Sequence, residues 1–134
     1  MTVNQIIALV DLKEPNSYTA AEKIKWLSDL DGKIFNEVIL THEHDDVEFT
    51  PYNINALDPV QEGETPPEPE TLLIGDPYGE DIYIHYLIAR IASGNAEVSR
   101  YNQQISMYNA AYSQWWNKFN STHLPLHAHT RFLF

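Results

Sequence analysis

Apolar residues return every three or four positions in four stretches of this chain, and that period predicts helices. Thr2 with Gln5 has the pattern of a capping box, and Val3, Ile6, Ile7 and Val10 then fall on one helical face. Pro15 and Asn16 close that first helix. Thr19 with Glu22 repeats the capping signature ahead of Ile24, Leu27, Leu30, Ile34 and Val38. The spacing predicts a helix from Ala20 to about Leu40, with Gly32 inside it at a cost of about 1 kcal/mol against alanine. After Asp76-Pro77 a further stripe of Ile84, Leu87, Ile88 and Ile91 leads to a turn at Ser93-Gly94-Asn95.

The last stretch is the most regular. Val98, Tyr101, Ile105, Tyr108, Tyr112, Trp115 and Phe119 alternate in steps of three and four, along a helix about six turns long. Two Tyr-Asn pairs, Tyr101-Asn102 and Tyr108-Asn109, lie one heptad apart, and the flanking polar residues are mostly amides and hydroxyls. Such a helix has a core to join, and its other faces suit neighbouring protein better than open water. An antiparallel hairpin of the last two helices is expected. The alternative is one continuous helix, because Gly94 also falls on the heptad between Ile91 and Val98.

The middle of the chain breaks the pattern. Residues 41–75 hold Pro51, Pro59, Pro66, Pro67 and Pro69, with Glu62, Glu64, Glu68 and Glu70 interleaved. An acidic proline-rich loop over about 58–70 is predicted, because such a segment suits neither helix nor central strand. Val47-Glu48-Phe49 and Leu72-Leu73-Ile74 are candidates for a short two-stranded β element. The expectation is therefore a mainly α protein, a small bundle of about four helices. It forms one domain over 1–125, followed by an extended tail over 126–134 that contacts a partner.

Composition narrows the possible functions. A chain of 134 residues with 43% hydrophobic content is long enough to bury a core without staples. It contains no cysteine, which excludes disulfides and thiolate-bound zinc. The start MTVNQIIALVD lacks a basic region and does not read as a signal peptide. No apolar run is long enough for a membrane span, and none is expected. Nineteen acidic residues against eight Lys and Arg give a net charge of −11. Such a surface repels phosphates, so tight nucleic-acid binding and anionic membranes are disfavoured.

Candidate chemistry is sparse. His42-Glu43-His44-Asp45-Asp46 resembles a metal cluster, but two histidines at i and i+2 share a face only in a strand. A solvated polar turn explains the same residues. The histidines His123, His127 and His129 have no carboxylate nearby in the sequence. There is no cysteine nucleophile, no Gly-x-Ser-x-Gly elbow and no glycine-rich loop opening a helix. His85 lies in an apolar pattern and reads as a hydrogen-bonded packing residue. Periodicity sends Trp115 to the core and leaves Trp116 to mark a contact surface. Glu97 and Arg100 are spaced to pair on one helix, and Arg90 is a lone charge able to reach Glu97 or a neighbouring subunit. Lys118 completes the basic residues of this region. No catalytic residue, cofactor or metal site is assigned.

The string Asp76-Pro77-Tyr78-Gly79-Glu80-Asp81-Ile82-Tyr83, with Tyr86-Leu87, Ile91, Asn95-Ala96-Glu97 and Arg100-Tyr101-Asn102, is distinctive. It continues through Met107-Tyr108-Asn109-Ala110-Ala111-Tyr112 to Asn117-Lys118-Phe119-Asn120-Ser121-Thr122-His123-Leu124-Pro125. With Lys23-Ile24-Lys25-Trp26-Leu27 and Leu30-Asp31-Gly32, this resembles the head–tail connector, or neck adaptor, proteins of tailed bacteriophages. Ser121 departs from a pattern that carries a basic residue there, so no contact is carried over to it. The resemblance implies a helical subunit of a homo-oligomeric ring, a dodecamer, in the virion neck. The portal protein lies on one side and an adjacent neck or tail protein on the other, and DNA passes through without specific binding. The alternative within phage is a stopper or tail-completion protein. The alternative outside it is a small metal-binding protein using His42 and His44. Trp116 and the tail residues Arg131, Phe132, Leu133 and Phe134 are the expected partner-interface residues. The hydrophobic end of the tail either folds back on its own core or docks into the portal or the next subunit.

Overall fold

Both capping threonines start helices. In the computed structural model, which describes residues 1–43 and 48–124, α1 spans Val3–Lys13 and α2 spans Ala20–Ile34. Thr2 accepts the Gln5 N–H at 3.3 Å, and the Gln5 side chain accepts the Thr2 N–H at 3.0 Å. Thr19 accepts the Glu22 N–H at 3.2 Å. These contacts satisfy amide groups that a helix start leaves without partners. The helical path continues beyond α2 as a π-helical turn, Phe35–Ile39, so the chain stays wound up to Leu40 as expected.

α3 spans Tyr78–Gly94 and α4 spans Val98–Thr122, joined by a tight turn and not by continuous helix. Asn95 N–H bonds the Ile91 carbonyl at 3.0 Å, and Glu97 N–H bonds the Ala92 carbonyl at 2.9 Å. Ala96 between them takes a φ of +58°, the left-handed conformation that reverses a chain at a helix end. Among the helices, α4 packs along α3 alone, whereas α1, α2 and α3 pack against one another.

The core follows from that arrangement. Val3, Ile6, Ile7 and Val10 of α1 meet Ile24, Leu27, Leu30 and Ile34 of α2 and Ile82, Tyr83, Leu87, Ile88 and Ile91 of α3. From the connecting segment Tyr52, Leu72 and Ile74 enter the same cluster. Gly79 sits so close to the Ile74 carbonyl that a Cβ has no room, which lets α3 start directly beneath that segment.

Two expectations need correcting. No strand forms among the described residues, so Phe49 and Leu72–Ile74 do not make a two-stranded element (Val47 lies outside those residues). Instead Thr71 makes one isolated antiparallel bridge to Thr2, flanked by Val3 N–H to the Glu70 carbonyl at 2.8 Å and Leu72 N–H to the Met1 carbonyl at 3.1 Å. The chain's own amino end occupies the edge that the other strand would need. Phe49 meanwhile turns its ring onto Phe35 and Tyr52, at 5.9 and 5.5 Å. Residues 58–69 are exposed and contain neither helix nor strand.

The second correction concerns the long stripe of α4. Of its seven residues only Trp115 is buried, Val98 is 68% exposed, and the other five are half-buried. A helix packed against a single neighbour covers one narrow strip, and the rings beside that strip keep an open side.

Candidate functional site

The half-buried rings of α4 form a continuous row. Tyr86 of α3 lies 5.5 Å from Tyr108, Tyr108 lies 6.0 Å from Tyr112, and Tyr112 lies 5.6 Å from Trp115. Trp115 then meets Phe119 at 5.2 Å, and Phe119 stacks on His123 at 4.2 Å. These separations suit offset and edge contacts between aromatic rings. Burial raises the tyrosine hydroxyls of Tyr86, Tyr108 and Tyr112 above their usual pKa, with Glu37 adding to the effect at Tyr112. The tyrosines of the row therefore present neutral, flat, amphipathic surface.

His42 pins the lower end of this row. It is buried at the end of the π-helical turn, edge-on to Trp116 at 5.4 Å and to Phe119 at 5.1 Å. Nδ1 lies 2.7 Å from the Val38 carbonyl and Nε2 lies 2.7 Å from Asn120 Oδ1. A carbonyl only accepts, so Nδ1 carries the proton. The Asn120 carboxamide, turned about its last bond, gives a donor to the neutral ring or an acceptor to the charged one. Glu43 N–H donates to the Leu124 carbonyl at 2.8 Å and closes the same joint. Both ring nitrogens are thus engaged, Nδ1 with the π turn and Nε2 with α4. A metal would have to displace one of these bonds. His44, Asp45 and Asp46 lie outside the described residues, as do His127 and His129. Among the described residues no three acids and histidines gather as a metal cluster.

Other candidates take structural places. His85 Nδ1 bonds Gln104 Oε1 at 2.8 Å, a polar tie between α3 and α4. Trp115 is buried as expected, and Trp116 is half-buried against His42. The expected Glu97 pairings do not form. Arg100 bonds Glu14 at the end of α1, and the Arg90 guanidinium lies 5.0 Å over the Trp26 ring. Arg100 thus lies toward α1 and Arg90 toward α2. Glu97 and Lys118 stay exposed. Arg131, Phe132, Leu133 and Phe134 lie outside the described residues.

A buried carboxylate was missed as a site in the sequence. Asp31, fully buried, accepts the Tyr52 and Tyr83 hydroxyls at 2.6 Å each and the Leu73 N–H at 3.3 Å. Tyr83 in turn accepts the Ile74 N–H at 2.9 Å, and Ser28 accepts the Tyr52 N–H at 3.1 Å. Burial pushes the Asp31 carboxyl above its ordinary pKa, and the three hydrogen bonds oppose that shift. Burial and the adjacent carboxylate drive both tyrosine hydroxyls far up as well. Asp31 is shut off from solvent, and the cluster fastens the connecting segment to α2 and α3. A signal was present in the sequence: Asp31 stands four positions from Leu27 and three from Ile34, on the face of the series Ile24, Leu27, Leu30, Ile34 and Val38. Lys23 is also a buried charge, held by Asp11 at 2.6 Å and by Asn16 at 3.3 Å.

Beside α2 runs an open groove of about 620 Å³, between Phe35 and Gly32 on one wall and Phe49 and Pro51 on the other. Asp29, Lys33 and Glu37 stand along it without a shared polar focus. No helix among the described residues is long and apolar enough to cross a membrane. In comparison with known proteins, the chain matches no family model, no curated protein and no solved structure.

Proposed function

We propose that this protein is a non-enzymatic building block of a phage virion, a connector subunit between the portal and the tail. The observation that carries the reading is the aromatic row of α4, half-buried and flanked by amide-rich faces. A closed ring needs two different lateral faces on each copy that bury against each other. Tyrosine and tryptophan with a polar tip are the residue types such interfaces favour. Much of the sequence string that resembles neck adaptors falls on the α3–α4 hairpin that carries this row. The net charge of −11 suits a ring through which DNA passes without binding, because phosphate contacts require Lys and Arg. Twelvefold symmetry, the neck location and the flanking neck or tail partner belong to the same proposal.

The test is electron microscopy of the purified protein alone and mixed with the portal of its phage. Rings stacked on the portal support the connector role. A chain that stays monomeric at high concentration and never adds to portal refutes it. Metal binding by His42 and His44 is the weaker reading, since both His42 ring nitrogens already serve hydrogen bonds.

A further inference from the structure

The connecting segment is held to the helices by side chains. Tyr52 N–H donates to Ser28 Oγ at 3.1 Å, Leu73 N–H to Asp31 Oδ2 at 3.3 Å, and Ile74 N–H to the Tyr83 hydroxyl at 2.9 Å. A fourth amide, Asn53 N–H, donates to Glu70 Oε2 at 2.9 Å and ties the outgoing limb, residues 51–53, to the returning limb, residues 70–74. Residues 54–69 between the limbs contain neither helix nor strand.

Asp31 joins the two limbs at one point. Its Oδ2 accepts the Tyr52 hydroxyl of the first limb at 2.6 Å and the Leu73 N–H of the second. Its Oδ1 accepts the hydroxyl of Tyr83, the group that holds Ile74. A limb that left alone would strip a donor from a carboxylate still buried under the other limb, and buried polar networks are costly when incomplete. The limbs therefore leave together. The helices can stay behind, because the hydrogen bonds inside an α-helix close within it. Of the segment only Tyr52, Leu72 and Ile74 enter the buried core cluster, whose other described members lie on the helices and the π turn. The returning limb also holds the amino end, through Val3 N–H to the Glu70 carbonyl and Leu72 N–H to the Met1 carbonyl.

We infer that residues 51–74 form a strap that lifts from α2 and α3 as one unit, at a lower free energy than global unfolding, with Asp31 as the latch coupling its limbs. Lifting bares Tyr52, Leu72 and Ile74 and frees the amino end, which gives the subunit a second, open state with its helices intact. Cooperative sub-global opening of this kind is drawn from regions with few buried contacts of their own. The inference does not rest on the connector reading.

Native-state amide hydrogen exchange of the full-length chain, read by NMR, tests it. In the wild type the amides of Tyr52, Leu73 and Ile74 are expected to share one protection factor, at least about tenfold below the best-protected amides of α1, α2 and α3. Ser28→Ala removes an acceptor from the outgoing limb alone. Protection is expected to fall about fivefold at Leu73 and Ile74 of the returning limb, the effect of one hydrogen bond. Tyr83→Phe works in reverse, taking the Ile74 acceptor, and the Tyr52 amide is expected to lose about thirtyfold or more. Three results would overturn the inference: unequal protection of the three amides in the wild type, protection at Leu73 and Ile74 equal to that of the helix interiors, or an effect of Ser28→Ala that stays within residues 51–53. Ser28→Ala deletes a single hydroxyl, so the test stands even where Tyr83→Phe does not fold, and circular dichroism checks the helical content of both variants.

Discussion

Tyr83 of α3 donates its hydroxyl proton to Asp31 of α2 across 2.6 Å while accepting the Ile74 N–H at 2.9 Å. One phenol thereby satisfies a buried carboxylate and a buried backbone amide together. Such networks are worth having only when complete, because a single missing partner strands a desolvated polar group.

Tyr83→Phe is expected to cost about 2–4 kcal/mol, since it takes one of three hydrogen bonds from Asp31 and strands the Ile74 amide in the interior. Tyr52→Phe removes one hydrogen bond to the same carboxylate and is expected to cost about 1–2 kcal/mol. Urea titration of the two variants checks the order. Equal losses would show that the Ile74 bond contributes nothing.

The pH dependence of stability has a definite sign at Asp31. Its carboxyl pKa in the folded state lies above the ordinary 3.8, with burial as the leading cause. The folded protein therefore holds that proton more tightly than the unfolded chain. The stabilising contribution is full below about 3.8 and is lost as pH rises through the folded-state value. The stability of the wild type relative to Asp31→Asn is accordingly greatest in acid and shrinks toward neutral pH. Parallel denaturation curves at several pH values measure it, and a difference that grows with pH contradicts the assignment.

Ala96 holds a left-handed conformation that costs an L-residue roughly 1–2 kcal/mol. Ala96→Gly relieves that cost and returns part of it through the greater freedom of the unfolded chain. A net gain of about 0.5–1 kcal/mol is expected, seen as a higher Tm with the hairpin unchanged.

Replacing His42 by alanine empties a buried site and unties α4 from the π-helical turn. A loss of about 2–4 kcal/mol is expected, with faster amide exchange in the last turns of α4. Zinc should leave the Tm of the wild type unmoved. A stoichiometric rise in Tm on zinc addition would revive a metal role for this histidine.

Local signals in this chain were legible because they act within a few residues. The two threonine caps, the period of α1 and α2 and the turn near Gly94 each depend on neighbours three or four positions away. Leu72 and Ile74 were correctly marked as apolar, yet their partner was misjudged. Strand pairing depends on which distant edge arrives, and here Thr2 arrives. Arg100 fails in the same way, since its partner Glu14 is separated from it by 86 positions.

The order of residues alone was enough to establish a helical protein with a proline-rich acidic interruption and an aromatic last helix. Packing in three dimensions decided which of those aromatic rings are covered. Period specifies a stripe, but the number of neighbouring helices sets its buried width, and α4 has one. Packing also made Asp31 the point where α2, α3 and the connecting segment meet. A carboxylate is tolerable in a core only if donors reach it, and no local rule reveals that two tyrosines 21 and 52 positions away will do so.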